Sequence, residues 1–359
     1  MAPRFQFVRV QGSRYEIGCQ LGELLREKIL RVIDQIIDAE IPDNCRRRSG
    51  SQQLRGPFTR EQILARTHDF VPRFESYCPT MLDELRGIAR GASISLEEAL
   101  LLQIRGEVLY AMAGGCSSFV FSRQVTREGQ VITGQNWDYP IDLDLMIVLH
   151  TTPDDAPSQL MMTFAGLTSY MGINSYGVSQ FANALPWGMC RIGIPHYPFK
   201  WQVFMQRDLE GVRRLAEKTD TVLPGNYVLS DSKGNIADLE LTPEGIAWLT
   251  AEEGFIVHTN HFLGEPFASR PDLEPRPDSL TRYERLRILA EQNLGAIDVP
   301  LMQQILADHE NYPVSLCRYV LEPGTDTGTA ASLIAEPEKG LLHVCAGNPC
   351  LGEFVTYSL

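Results

Sequence analysis

The chain has 359 residues, of which 44% are hydrophobic, so it can bury a sizeable core as one large domain without stabilising cross-links. Its 45 acidic and 32 basic residues give a net charge of −13 at pH 7, which disfavours nucleic acid or an anionic membrane as the main partner. No stretch reaches the apolar length of a membrane span and the start of the chain lacks a signal-peptide core, so we expect a soluble, non-secreted protein.

The first third of the chain is predicted to be mainly helical. Residues 5–10 alternate as a short strand, and apolar residues then recur at three- and four-residue spacing from about 15 to 41. Residues 43–58 contain three consecutive arginines and several glycines, which indicates an exposed loop rather than an anion-binding or targeting patch. A second helical run covers about 61–91, and a third, opened by Ser95 in an S-x-x-E capping box, reaches about residue 113.

The pattern changes to strands after Gly114 and Gly115. Short β-prone segments follow in close succession, and this spacing predicts antiparallel pairing. The predicted strands cover residues 117–122, 130–136, 145–151, 159–164, 170–183 as a pair around a turn, 226–231, 236–241, 245–250, 255–259, 314–320, 328–335, 340–346 and 352–357. Helices are predicted at about 199–218, 279–294 and 298–309. This order predicts an α+β fold in which two antiparallel sheets face each other between helical layers.

Cys116 follows the two glycines and opens the first of these strands. Because glycine has no Cβ, the main chain here is free to adopt geometry that other residues avoid, and a neighbouring thiol can reach the Gly115 carbonyl. If the bond between the two residues is cut, the cysteine carries both a nucleophile and an α-amine of pKa ~8 that can act as its base. The alternative is a core cysteine after a turn, since free cysteine is among the most buried residue types.

Polar residues mark the ends of several predicted strands. Asp138 ends the strand after that of Cys116, so a hairpin would return its carboxylate to the thiol. Asn183 and Asn260 each follow a strand, where an amide can supply the neutral donor that a developing oxyanion needs. Arg318 lies on a predicted strand, where an inward guanidinium lowers a thiol pKa or binds a carboxylate. The alternative is a turn residue for Asp138 and for Asn183, and a surface salt bridge for the arginine.

His258 and His261 flank Asn260 and give a second enzyme hypothesis, a metal-assisted hydrolase. Two histidines separated by two residues can ligate zinc, but the sequence shows no third ligand at a suitable spacing and no H-E-x-x-H pattern. The eight cysteines are scattered without a C-x-x-C pair, as expected of reduced thiols. We therefore predict neither a metal nor a cofactor.

In chain order, these motifs resemble the acyl-coenzyme A:6-aminopenicillanic acid (isopenicillin N) acyltransferase family, whose members are N-terminal-nucleophile (Ntn) hydrolases. The resemblance extends over nearly the whole chain. It is carried by Tyr15-Glu16-Ile17-Gly18, Gly87-Ile88-Ala89-Arg90-Gly91, Gly115-Cys116, Gly134-Gln135-Asn136-Trp137-Asp138, Asn183-Ala184-Leu185, Val257-His258-Thr259-Asn260-His261, Asn311-Tyr312-Pro313 and Cys317-Arg318.

The resemblance implies a single Ntn-hydrolase domain over residues 1–359, built as a four-layer αββα sandwich. It also implies a precursor that cuts itself between Gly115 and Cys116. The products would be a mainly helical segment, 1–115, and a catalytic segment, 116–359, which remain associated.

The same resemblance implies roles for the candidate residues. Cys116 would attack a substrate amide to give an acyl-thioester, with its α-amine moving the protons. Asp138 and Arg318 would position and polarise the cysteine, and Asn260, with Asn183 nearby, would stabilise the oxyanion.

The second acceptor of the acyl group decides the activity, since water gives an amidohydrolase and an amine gives an acyltransferase. We expect hydrolysis of a small N-acyl amide rather than acylation of 6-aminopenicillanic acid, for which acyl-CoA would be the co-substrate. An unprocessed binding protein without activity is the alternative from another class. The chain ends Tyr357-Ser358-Leu359, which lacks the basic middle residue of the peroxisomal S-K-L signal, so the cytoplasm is expected.

Overall fold

The computed structural model describes residues 3–38, 59–109, 115–139, 142–187, 193–251, 253–319 and 328–359. The loop predicted at 43–58, its arginine triplet and Gly114 lie outside these residues. None of the described helices is long and apolar enough to cross a membrane.

Helices and strands occupy most of the described chain. The α-helices are α1 (Arg14–Asp38), α2 (Arg60–Thr67), α3 (Val71–Tyr77), α4 (Pro79–Ala92), α5 (Leu96–Gln103), α6 (Arg105–Leu109), α7 (His196–Val203), α8 (Leu209–Ala216), α9 (Pro277–Gln292) and α10 (Val299–Leu306). The strands are β1 (Gln6–Gly12), β2 (Gly115–Phe121), β3 (Ile132–Tyr139), β4 (Met146–Pro153), β5 (Gln159–Phe164), β6 (Met171–Asn174), β7 (Ser179–Ala184), β8 (Gly225–Ser230), β9 (Ile236–Thr242), β10 (Gly245–Thr250), β11 (Phe255–His258), β12 (Gly328–Glu336), β13 (Leu341–Ala346) and β14 (Val355–Ser358).

The strands form two sheets. The first has eight strands in the order β1-β4-β5-β6-β7-β8-β9-β10, and the second has six in the order β11-β2-β3-β12-β13-β14. Pairing is antiparallel as predicted, except that β1 runs parallel to β4. The intervening helices make this possible, because a parallel pair needs a long crossover connection and a hairpin cannot supply one.

The inner faces of the two sheets pack on each other. Cys116 and Trp137 from the second sheet share an apolar cluster with Met162, Phe181 and other residues of the first sheet. Along β2 the next side chains alternate, so that Phe119 and others point away from this cluster. The predicted alternation of the strand that begins at the cysteine is therefore confirmed.

Helices cover the outer face of each sheet. On the first sheet, α1, α4 and α5 pack over β1 and β4, while α7 and α8 pack over β7 to β9. On the second sheet, α9 and α10 pack over β2 and β3. The predicted four-layer αββα arrangement is thus present.

The front helices meet at glycines. A Cβ on Gly18 would lie 1.9 Å from the Glu84 carbonyl oxygen, and a Cβ on Gly87 would lie 2.2 Å from the Tyr15 carbonyl oxygen. Gly22 and Gly91 are also crowded by the opposite helix, whose nearest backbone atoms would lie 2.6 and 2.3 Å from an added Cβ. The four glycines therefore let the backbones of α1 and α4 cross in direct contact, which explains two of the motifs near the start of the chain.

Two predicted helices are each divided. The helix predicted at 199–218 is α7 and α8, because Asp208 caps a new helix by accepting a hydrogen bond from Gly211 N at 3.0 Å. The helix predicted from residue 95 ends at Gln103, and α6 begins after Ile104; residues 110–113 lie outside the described chain.

The prediction of a strand at 314–320 is wrong. Its main chain closes local turns, with Val314 N donating to Asn311 O at 2.9 Å and Cys317 N donating to Asp308 O at 3.0 Å. Those hydrogen bonds use groups that a sheet ladder would need, so residues 314–319 form a loop between α10 and β12.

Candidate active site

Cys116 lies at the start of β2, which is flanked by β11 and β3 in the second sheet. It pairs with Trp137 of β3, and its neighbour Gly115 pairs with Asp138. The predicted hairpin is confirmed, and it brings the carboxylate of Asp138 beside the cysteine. The cysteine is 5% exposed, so its thiol lies inside the sandwich.

The main chain of Cys116 is held by Asn260, which follows β11. Cys116 N donates to Asn260 Oδ1 at 2.9 Å, while Asn260 Nδ2 donates to Ala184 O at 3.0 Å. Asn260 N donates in turn to Ser279 Oγ at 2.8 Å, so the first turn of α9 fixes the residue. The amide predicted to serve an oxyanion therefore lies at the cysteine, with its oxygen directed at the cysteine nitrogen.

Arg282 of α9 is a site residue that the sequence reasoning missed. Its side chain is fully buried, and its Nη1 donates to Cys116 O at 2.5 Å while its Nη2 donates to Asn260 Oδ1 at 2.8 Å. One planar guanidinium thus joins the cysteine to the amide, a geometry that a lysine cannot reproduce. Its place on the buried stripe of the helix, in line with Leu286 and Ala290, is the signal that could have revealed it.

Asp138 and Arg318 form the second group beside the cysteine. Asp138 Oδ1 accepts a hydrogen bond from Thr329 Oγ1 at 2.8 Å, and Asp138 Oδ2 lies 3.7 Å from Arg318 Nη1. A second carboxylate, that of Asp278, lies 3.6 Å from the same nitrogen. Arg318 thus lies beside the carboxylate of Asp138, and it does so from a loop and not from the predicted strand.

Burial raises the pKa of the Cys116 thiol and of the Asp138 carboxyl group, but the two values lie on opposite sides of neutral pH. Burial raises the pKa of Cys116 to about 12, aided by the charge of Asp138 and opposed by Arg282. Burial also raises the pKa of Asp138 to about 6, against the opposing charges of Arg282 and Arg318. At neutral pH the thiol is therefore protonated and the carboxylate ionised, so the cysteine needs a base before it can attack.

Gly115 is required by this arrangement. A Cβ at this position would lie 3.0 Å from Arg318 Nη1, 3.0 Å from Asp138 Oδ2 and 3.4 Å from Arg282 Nη2. Any side chain would therefore crowd the three charged groups that surround the Gly115–Cys116 peptide.

An aromatic wall lies on the inter-sheet side of Cys116. Trp137 packs edge-on against Tyr170 with ring centroids 5.7 Å apart, and Tyr170 contacts Tyr197 at 5.6 Å. The ammonium of Lys200, which is 1% exposed, lies 4.1 Å from the Tyr170 ring centroid. Burial lowers the pKa of this lysine well below its ordinary value, while the nearby Cys116 opposes that shift.

Arg105 adds a second cation to the same wall. Its guanidinium carbon lies 3.8 Å from the Phe164 ring centroid, and its Nη2 donates to Tyr197 OH at 2.9 Å. The sequence reasoning named neither this arginine nor Lys200, although a lone lysine in the aromatic run Tyr197-Pro198-Phe199-Lys200-Trp201 was a visible signal.

Asn183 lies on β7 of the first sheet, opposite Ser118, which is two residues after Cys116 on β2. Its Oδ1 accepts a hydrogen bond from Ser118 Oγ at 2.8 Å, and its Nδ2 donates to His258 O at 3.4 Å. The structure therefore places this amide beside Ser118, and its own hydrogen bonds do not include Cys116.

The two histidines of the metal hypothesis stack with ring centroids 6.3 Å apart, but they contact different polar atoms. His258 is fully buried, with Nε2 2.9 Å from Glu240 Oε1 and 3.8 Å from Asp238 Oδ2. His261 instead contacts Ser279 Oγ through Nδ1 at 2.9 Å, and burial lowers its pKa to about 4. Among the described residues, no group of three or more potential metal ligands contains both histidines.

Both oxygens of Glu240 are already engaged. Oε1 accepts from Leu263 N at 2.6 Å and Oε2 accepts from Gly264 N at 3.0 Å. With His258 bound to Oε1 as well, this buried group fixes the loop that follows Asn260.

Known proteins are similar to this chain in sequence. Residues 125–350 match the profile of the family described as acyl-coenzyme A:6-aminopenicillanic acid acyl-transferase, a span that begins after Cys116. The chain is 26% identical over 349 residues to the 40 kDa form of acyl-coenzyme A:6-aminopenicillanic-acid-acyltransferase from Emericella nidulans, covering 95% of this chain and 92% of that protein.

Two solved structures are similar at lower identity. A mutant of conjugated bile acid hydrolase from Clostridium perfringens aligns with a TM-score of 0.46 and 15% identity, over 67% of this chain and 97% of that one. Penicillin V acylase from Agrobacterium tumefaciens aligns with a TM-score of 0.43 and 11% identity, over 68% of this chain and 86% of that one.

Proposed function

The chain belongs to the acyl-coenzyme A:6-aminopenicillanic acid acyl-transferase family, and from that membership we propose that it is a self-processing cysteine amidohydrolase or acyltransferase. The nucleophile is Cys116, and the bond cut in the precursor is Gly115–Cys116. The substrates are small linear amides, with acyl-CoA as the acyl donor if the enzyme works as a transferase.

One observation carries the proposal, the convergence of polar groups on a single peptide bond. Asn260 Oδ1 lies 2.9 Å from the nitrogen of Cys116. On the other side of the bond, the Cβ that Gly115 lacks would stand 3.0 Å from both Arg318 Nη1 and Asp138 Oδ2. A cysteine that only filled the core would not need a buried carboxylate and guanidinium groups beside its peptide bond, since such groups are costly to bury.

Self-cleavage would begin with attack of Cys116 Sγ on the Gly115 carbonyl carbon. Asp138, ionised at neutral pH, takes the thiol proton through Oδ2, an oxygen without a hydrogen-bond partner among the described residues. Asp138 passes that proton to the nitrogen of Cys116 as the carbon–nitrogen bond breaks, so the nitrogen leaves as an α-amine and a thioester forms between Gly115 and the sulfur. Water then hydrolyses the thioester, which restores the thiol and leaves a carboxylate on Gly115.

Turnover would repeat this chemistry on a substrate. The new α-amine of Cys116 takes the thiol proton and passes it to the leaving amine, while the acyl group stays on sulfur as a thioester. Asn260 Oδ1 would hold the amine, and the Nδ2 hydrogen that is not donated to Ala184 O would stabilise the developing oxyanion. Water or a second amine then removes the acyl group.

The surroundings of the thiol support a small acyl group with apolar surface. Trp137, Tyr170 and Tyr197 present rings next to Cys116, and such rings suit an apolar or aromatic acyl chain. We favour hydrolysis of a small N-acyl amide, with transfer to 6-aminopenicillanic acid as the alternative. The proposal includes a cytoplasmic location and no cofactor.

The experiment that tests this function is intact mass measurement and N-terminal sequencing of the purified protein under denaturing conditions. We expect two chains, the second beginning Cys-Ser-Ser-Phe-Val. The Cys116→Ala variant should remain a full-length chain of 40.3 kDa without amidase activity. Cys19→Ser, which changes a partly buried thiol of α1, is the matched control and should be processed normally.

Two results would contradict the proposal. Cleavage of the Cys116→Ala variant at the same bond would show that Cys116 is not the nucleophile of self-cleavage. A wild-type protein that stays intact and shows no thiol-dependent turnover on a panel of N-acyl amides would favour the unprocessed binding protein.

A further inference from the structure

Two loops on the outside of the second sheet bring together one imidazole and two thiols. The side chains are those of His309 and Cys317, between α10 and β12, and Cys350, between β13 and β14. Their potential ligand atoms all lie within 4.8 Å of one another. Cys317 is buried, while His309 and Cys350 are partly exposed, so an ion can reach the group from solvent.

We propose that His309, Cys317 and Cys350 form a binding site for a thiophilic divalent cation, with zinc as the fitting metal. Neither self-cleavage nor amide turnover as described above uses these residues. Two cysteines and one histidine are a known zinc ligand set, in which the fourth position is left to water or another oxygen.

The distances suit such an ion. The two sulfur atoms are 3.5 Å apart. Two thiolates on a tetrahedral zinc with bonds of about 2.3 Å stand roughly 3.8 Å apart, so the sulfurs need to separate only slightly. One ring nitrogen of His309, Nδ1, is buried without a hydrogen-bond partner among the described residues, and the other, Nε2, faces the hydroxyl of Tyr319 at 3.3 Å. Neither nitrogen is held by a charged group of the described chain that would compete with the metal.

The loops are preorganised by their own main chains. Cys317 N donates to Asp308 O at 3.0 Å, which closes the loop that carries His309. Asn348 Nδ2 donates to Arg318 O at 2.7 Å, which ties the second loop, with Cys350, to the first. The ligands therefore start close to their bound positions, and little chain entropy is lost on binding.

Tyr319 provides a way to separate metal binding from a simple hydrogen-bond network. Its hydroxyl lies 3.0 Å from Cys350 Sγ and 3.3 Å from His309 Nε2, and its ring stacks on the His309 ring with centroids 4.9 Å apart. Bound metal would replace these hydroxyl contacts but keep the ring stacking. Tyr319→Phe should therefore bind metal at least as tightly as the wild type.

The site has a direct connection to the candidate active site. Cys317 immediately precedes Arg318, whose Nη1 lies 3.7 Å from Asp138 Oδ2. A metal bound to Cys317 would restrict the motion of Arg318. Because the metal binds the folded protein, we also expect metal binding to raise the midpoint of thermal unfolding.

The test is titration of the reduced, metal-free full chain with Co²⁺ and then Zn²⁺. We expect one equivalent of cobalt with near-ultraviolet thiolate charge-transfer absorption, displaced by one equivalent of zinc. Cys350→Ser and His309→Ala should each weaken zinc binding by about 100-fold or more, whereas Cys19→Ser should bind like the wild type.

A measurement on the unmodified protein covers the case in which a variant fails to fold. Zinc should slow alkylation of Cys317 and Cys350 in the wild type without changing that of Cys19. Three results would overturn the proposal: no charge-transfer absorption, equal zinc affinity in wild type and Cys350→Ser, or formation of a Cys317–Cys350 disulfide with no metal uptake by the reduced protein.

Discussion

Asn260 and Arg282 hold the main chain of Cys116 from two sides. The amide oxygen of Asn260 receives both the cysteine N–H and one arm of the guanidinium, while the other arm reaches the cysteine carbonyl. The position of the nucleophile thus depends on a residue that does not itself react. Arg282 is a positioning residue in this scheme.

Arg282→Lys tests this role. The ammonium keeps the charge but cannot contact the carbonyl and the amide together, so self-cleavage and turnover should slow by about 10- to 100-fold. Time-resolved denaturing electrophoresis of freshly made protein measures the first rate. The control is Arg287→Lys on the same helix, which changes a guanidinium that pairs with Glu284 near the surface. Equal rates in the two variants would show that Arg282 does not position the cysteine.

The raised pKa of Asp138 predicts a dependence of stability on pH. Its folded pKa of about 6 exceeds the ordinary value of about 3.9, because burial opposes the charge. Ionisation therefore costs stability: the cost is absent below about pH 4, grows as pH rises, and is complete above about pH 6. Its size is on the order of 2–3 kcal/mol.

Asp138→Asn removes that cost. In a Cys116→Ala background, which keeps the chain intact, urea unfolding should show the variant gaining about 2–3 kcal/mol relative to its parent between about pH 4 and pH 7. If the free energies of unfolding of the two proteins changed with pH in the same way, the pKa of Asp138 would be the same in the folded and the unfolded chain, which would contradict the prediction.

Among the elements, the contact of α1 with α4 makes the clearest demand on sequence. Gly18 and Gly22 face Gly87 and Gly91, and each helix brings its backbone to where the other's Cβ atoms would be. Helix propensity alone favours alanine over glycine by about 1 kcal/mol. For a glycine-to-alanine substitution at this contact, packing therefore predicts a loss of stability, whereas helix propensity predicts a gain.

Gly87→Ala should destabilise the protein by about 2 kcal/mol or more, because the new Cβ meets backbone atoms of α1 that cannot rotate away. Denaturant unfolding of the Cys116→Ala chain measures the change in free energy. Arg86→Ala, an exposed position on the same helix, should change stability by less than about 0.5 kcal/mol. A stabilised Gly87→Ala variant would show that the helices separate without cost.

α9 is the element that organises the site. Ser279 and Arg282 lie three residues apart on its buried face, where side chains at that spacing are neighbours. Ser279 Oγ accepts a hydrogen bond from the main-chain N–H of Asn260, and Arg282 donates one to the side-chain oxygen of Asn260. One helix face thus aligns the amide with the cysteine.

At the scale of the whole molecule, the segments on either side of the proposed cleavage bond share one fold. β1, before the bond, pairs with β4, after it. The front helices bury Ile17, Leu21 and Leu85 in the same apolar cluster as Ile147 and Leu149 of β4. The segments 1–115 and 116–359 therefore share a large apolar interface.

We expect these two segments to remain together after cleavage. Size-exclusion chromatography under native conditions should give one species that contains both chains, and only denaturant should separate them, because separation would expose the shared core to water. Recovery of folded segment 116–359 without its partner would contradict this expectation.

Local chemistry was readable from the sequence where one element, or two joined by a short turn, decided it. Cys116 at the start of a strand and Asp138 at the end of the next one follow from alternation and a turn, and the structure confirms both. Arg318 was named as a site residue on a strand that does not form, because turn hydrogen bonds between 308 and 317 compete with the ladder. The divided helix at Asp208 shows the same competition, between continued periodicity and a capping side chain.

The sequence by itself determined the α+β class, the order of most helices and strands, and the polar residues that end the strands around Cys116. Only the tertiary structure decided that Arg282 joins Cys116 to Asn260, that β1 runs parallel to β4, and that His309, Cys317 and Cys350 meet. The physical reason is that periodicity reports how each side chain is buried along its own element. Which buried side chains touch depends on how distant elements pack, and that packing is a property of the whole chain.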